Sequence, residues 1–123
     1  MSPEAKKEQA RNMTDTLKRY YDLGGRVVIG TDLIHSSDFM ADAKIPVIEL
    51  KQLRAAGIPF QDVIKTGTLW PAQVLGTAAE EGSIEAGKLA NLIAIPGELT
   101  DSFEALDHPA FVMHYGTVVR SEL

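Results

Sequence analysis

The chain has 123 residues, 45% apolar and 24% charged, with a formal net charge of −5 and no cysteine. That length suits one domain with a modest core, and that composition excludes disorder. The acidity argues against nucleic acid as a partner, and the lack of cysteine excludes disulfides and thiolate metal sites.

Residues 3–23 predict a helix. Ser2 is a good N-cap, Pro3 suits the first helical position, and Glu4 complements the positive end of the dipole. Ala10, Met13, Leu17, Tyr20 and Tyr21 form one apolar stripe at helical spacing, and Gly24-Gly25 stops the helix. Arg26-Val27-Val28-Ile29 then reads as a buried parallel strand, running into Gly30-Thr31-Asp32. A carboxylate at the C-terminal end of such a strand occupies the place where barrel enzymes keep catalytic groups. On its own, Asp32 reads equally as a side chain capping the next turn.

A polar loop follows from Leu33 to about Ile45, long for a strand–helix connection and carrying His35. Pro46 opens a second helix through Ala56, with Val47, Leu50 and Leu53 on one face and Gly57 as its stop. Pro59 opens a third, bearing Phe60, Val63 and Ile64. A fourth runs from about Thr68 to Gly76, with Leu69, Trp70, Val74 and Leu75 as its apolar residues. Beyond it the chain becomes Gly-rich and charged from Glu80 to Lys88. A short strand over Leu92–Ile95 closes at Pro96-Gly97, and one helical turn is expected over Ser102–Leu106. Phe111–His114 and Thr117–Val119 flank Tyr115-Gly116 as a two-residue hairpin. The polar N-terminus lacks the apolar segment of a signal peptide, and no apolar run approaches the ~20 residues of a membrane span. The expectation is a cytoplasmic protein without a membrane partner.

Three segments, in order and spacing, resemble the C-terminal portion of metal-dependent amidohydrolases, on the imidazolonepropionase-like and prolidase-like branch. Gly30-Thr31-Asp32 resembles the motif ending the eighth barrel strand. Thr68–Gly76 resembles the family's T-x-N-P-A-x-x-L-G helix, with Trp70 in place of Asn. Gly82–Ile93 resembles its G-S-I-x-x-G-K-x-A-D-L-V segment, with Asn91 in place of Asp. The resemblance implies an α/β fold: the last helix–strand–helix unit of a (β/α)8 TIM-like barrel over residues 1–78, then the C-terminal strands of a small β-sandwich over 79–123.

It also implies hydrolysis of a C–N bond in a small amide, cyclic amide or amidine, or dipeptide-like substrate. Asp32 becomes the catalytic acid–base group and one metal ligand of a complete site, and His35 a substrate contact. Family members hold one or two divalent metals, zinc above all, through a His-x-His pair and further ligands that this chain lacks. Such a centre needs about three protein ligands, so the chain alone is expected to bind no cofactor and to be inactive. Its expected partners are a complementing chain or a second copy of itself. The competing reading is a non-catalytic interaction module with a relict Asp32. His108 reads as a turn residue, His114 as structural, Lys88 as a capping group, and Trp70, Tyr20 and Tyr21 as core or helix contacts.

Overall fold

A computed structural model describes residues 1–30, 45–100 and 102–122. Helix α1 spans Pro3–Asp22, and the Ser2 hydroxyl accepts the Ala5 N–H at 3.2 Å. It gives way at Leu23, followed by left-handed Gly24. Helices α2 (Ile45–Ala55), α3 (Phe60–Thr66) and α4 (Leu69–Leu75) follow, with glycine at the turns after α2 and α4 in the left-handed region. No described helix is long and apolar enough to cross a membrane.

The core forms where the three-residue spacing on α2 points it. Val47, Leu50 and Leu53 are buried together with Ile58, Val63 and Phe103. Burial of each such side chain is worth roughly 1.5–3 kcal/mol relative to exposure. Leu17 and Tyr21 of α1 pack against the edge of this cluster. The rest of the α1 stripe departs from expectation. No α1 residue is fully buried, and Met13 and Tyr20 are 67% and 55% exposed. Val74 and Leu75 of α4 are likewise exposed, because helical spacing marks which face is apolar but not whether another element covers it.

The second half forms a three-stranded antiparallel sheet, β1 (Leu92–Ala94), β2 (Phe111–His114) and β3 (Thr117–Ser121), in the order β1-β2-β3. Leu92 pairs with Met113 and His114 with Thr117. Between the Val112–Arg120 and Met113–Val118 pairs β3 carries one extra residue, a bulge at Val119. The hairpin is as expected. Tyr115 and Gly116 both have positive φ, 48° and 77°, the pattern of a primed turn. The Asn91 Oδ1 accepts the Tyr115 N–H at 2.8 Å, so Asn supplies the acceptor that this position needs without the charge of Asp.

A short 3-10 turn over Glu104–Asp107 connects β1 to β2. It starts at Phe103, which is fully buried, has a φ of 54°, and stacks on Phe60 with ring centroids 5.3 Å apart. Left-handed backbone is uncommon for a bulky residue. Here burial of the whole ring against α2 and α3 offsets that cost. Phe103, Leu99 and Leu106 therefore join the same core as the helices, and Lys51 and Glu104 pair across the two parts at 3.1 Å.

The expected strand Arg26–Ile29 is corrected. The segment lies outside helix and strand, and within the described residues β1 pairs only with β2. A strand exists only through a paired neighbour, and none is supplied among the described residues. Val27 and Ile29 pack on the core while Val28 is 39% exposed.

Candidate functional site

The segment that leads to Asp32 is held without a sheet. The Ile29 N–H donates to the Thr66 carbonyl at 3.1 Å, and the Gly30 N–H donates to Glu49 Oε1 at 2.8 Å. Thr66 is itself fully buried, its hydroxyl donating to the Val63 carbonyl at 2.6 Å. The Ile29 side chain lies against Gly67, where an added Cβ would sit 3.1 Å from Ile29 Cδ1. Further back, the Arg26 guanidinium donates to Gln73 Oε1 on α4. The end of the segment is thus gripped by the last turn of α3 and by α2. The backbone groups of Val27 and Val28 have no backbone partner among the described residues.

Asp32 and His35 lie outside the described residues, so the roles expected of them rest on the sequence. Among the described residues no three His, Asp or Glu side chains gather to hold a metal ion. The described residues therefore do not by themselves fit a catalytic metal.

Of the remaining candidates Tyr20 departs from its expected core role, being 55% exposed, and the others fall where the plain readings put them. His108 is exposed and follows the 3-10 turn. The His114 ring meets Tyr115 edge-on at 4.4 Å, within the hairpin. Lys88 is a capping group: its ammonium donates to the Ala78 carbonyl at 2.7 Å and to Ser83 Oγ at 2.5 Å, and pairs with Glu85 at 3.1 Å. Hydrogen bonds from Ser83 and then from Lys88 hold the Glu85 carboxyl below its ordinary range. Trp70 is buried, its ring centroid 6.5 Å from that of Tyr21.

Two carboxylates that the sequence reading passed over have defined roles. Asp62 accepts from Lys65 Nζ at 2.7 Å and from the Tyr21 hydroxyl, tying α3 to α1. These bonds, Lys65 first, hold the Asp62 carboxyl below its usual range, and the bond to Asp62 pushes the Tyr21 phenol up. Glu49 is the other. It lies four residues before buried Leu53 and two after buried Val47, beside the apolar face of α2. A charge placed against a buried helix face is the signal that could have marked it. An open groove of about 860 Å³ runs along α1, lined by Met13, Leu17, Tyr20, Arg26 and Val27 among others. It is largely apolar and gathers no acid–base pair, so it reads as an uncovered packing surface.

The profile of the amidohydrolase family matches residues 3–120, and the chain belongs to that family. Among solved structures it is similar to a Xaa-Pro dipeptidase crystallised with methionine in its active site. That likeness has 27% identity and a TM-score of 0.74, over 88% of this chain and 25% of that one. It is also similar in fold to an amidohydrolase from Thermotoga maritima, with 20% identity and a TM-score of 0.57, over 93% of this chain and 35% of that one. The chain thus spans between a quarter and about a third of the length of these structures. No functionally curated protein sequence matches it.

Proposed function

We propose that the chain is the last helix–strand–helix unit of an amidohydrolase barrel with the C-terminal strands of the attached β-sandwich, and that it contributes one carboxylate, Asp32, to hydrolysis of a C–N bond. The observation that carries this reading is the anchoring of the Arg26–Gly30 segment. The segment is held at Ile29 and Gly30 by α3 and α2, and it runs directly into Thr31-Asp32 within the family match. In that role Asp32 takes a proton from the attacking water and passes it to the departing nitrogen. His35, three residues on, contacts the substrate. The substrate class is a small amide, a cyclic amide or amidine, or a dipeptide, and the dipeptidase neighbour favours the last. The divalent metal used by family members would be held chiefly by residues of the rest of the scaffold.

That remainder is the partner we infer. The backbone of Val27 and Val28, which has no backbone partner among the described residues, and the groove along α1 suit added parallel strands and their covering helices. An interaction module is the second reading, supported by the exposed Met13, Tyr20, Val74, Leu75 and Ile84. One assay separates them. The chain is mixed with the dipeptidase neighbour deleted for the quarter that this chain matches, and cleavage of Xaa-Pro dipeptides and N-acyl amides is measured. Neither component should act alone, the mixture should act, and Asp32→Asn should reduce the rate by about 10²-fold or more. A complex that forms but hydrolyses nothing would favour the interaction module. Activity unchanged by Asp32→Asn would remove Asp32 from the chemistry.

A further inference from the structure

Glu49 stands beside the buried face of α2, with one oxygen engaged and the other shielded. Oε1 accepts the Gly30 N–H at 2.8 Å, whereas Oε2 is buried without a partner among the described residues. A shielded carboxylate oxygen lacking a donor costs free energy, so helix stability alone does not account for an acid at this position. Its bond to the Gly30 N–H is charge-assisted, and such bonds are shorter and stronger than neutral ones. Its donor is the backbone of the residue two places before Asp32.

The geometry points to Glu49 as a positioning residue that fixes the backbone at Gly30 and through it the approach of Asp32 to its substrate, a role that rests on the hydrolase reading above. Ile29 is held by the Thr66 carbonyl at the end of α3, and Gly30 by the Glu49 carboxylate on α2. Removing either grip frees the end of the segment. Thr66 grips through a backbone carbonyl that no substitution deletes, so Glu49 is the side chain on which the alignment turns. Two residues of chain carry any shift at Gly30 onward to Asp32, and displacements near 1 Å cost reacting groups about 10²-fold in rate.

The test reads Gly30 directly. Amide exchange of the full chain is followed by NMR for the wild type, Glu49→Gln and Glu49→Ala, with the Val47, Leu50 and Leu53 methyl signals reporting the fold. The Gly30 amide should be protected in the wild type and stay within about threefold in Glu49→Gln, which keeps an acceptor. In Glu49→Ala it should lose about tenfold or more, the loss of one charge-assisted bond. In the mixed assembly Glu49→Ala should lower kcat by about tenfold with KM unchanged, and Glu49→Gln should restore most of it. A Gly30 amide that is unprotected in the wild type overturns the inference even if Glu49→Ala fails to fold. So does a loss that falls on KM alone. An assembly inactive with the wild-type chain overturns the hydrolase reading, a failure that the Gly30 amide reports separately from its own.

Discussion

Gly82→Ala should be among the most damaging single-methyl additions to this chain, and Gly116→Ala supplies its control. Both glycines have positive φ, 89° and 77°. An alanine at either position bears the same kind of backbone penalty, about 1–2 kcal/mol. Their surroundings differ. A Cβ at Gly116 meets nothing within 4 Å. A Cβ at Gly82 would stand 2.8 Å from Ala72 Cβ, 3.1 Å from Leu69 Cα and 3.1 Å from the Thr68 carbonyl oxygen. Those atoms belong to or adjoin α4, and two of the three are backbone, so no side-chain rotation relieves the clash. Overpacking of this kind adds about 1–3 kcal/mol. The expected totals are about 1–2 kcal/mol for Gly116→Ala and about 2–5 kcal/mol for Gly82→Ala. Urea unfolding with a common m-value measures both. Equal losses would mean that the Gly82 turn does not sit on α4 and that the packing argument is wrong.

Three further outcomes are expected. Phe103→Ala should cost about 3–5 kcal/mol, since it empties a fully buried ring site shared by α2, α3 and the 3-10 turn; thermal melts that leave Tm unchanged would refute a shared core. Asp62 has a folded pKa below its unfolded value, so its contribution is complete above about pH 4 and is lost as pH falls through the depressed value. Asp62→Asn should accordingly flatten the acid limb of the stability–pH profile, and an unaltered limb would contradict the Tyr21–Asp62–Lys65 arrangement. With no backbone partner for Val27–Val28 among the described residues and Met13 and Tyr20 of α1 exposed, the purified chain should self-associate at micromolar concentration in sedimentation; a clean monomer with cooperative unfolding would show that these surfaces need no cover.

Features set by short-range chemistry were legible in the sequence. The Ser2 cap, the Gly57 and Gly76 stops, the Val47–Leu50–Leu53 face and the Tyr115-Gly116 turn each depend on residues within a few positions, and each stands as expected. Features set by distant partners were not. Val27–Ile29 has strand composition but no neighbouring strand among the described residues. Met13, Tyr20, Val74 and Leu75 carry helical periodicity yet stay exposed. Phe103 was missed because nothing local marks a phenylalanine for positive φ; only the space between α2 and α3 does. At the site, the Gly30-Thr31-Asp32 motif was visible, but its grip by Glu49 was not, because that bond joins residues nineteen apart in the chain.

The central claim is that the chain carries one acid of a metal-dependent site and not the site itself. Calorimetric titration of the purified chain with zinc tests this most directly. The account predicts only weak binding without defined stoichiometry, and no change on Asp32→Ala, because about three protein ligands are needed to hold such an ion. A stoichiometric site of about micromolar affinity or tighter, abolished by Asp32→Ala, would contradict it and show that the chain builds a metal centre of its own.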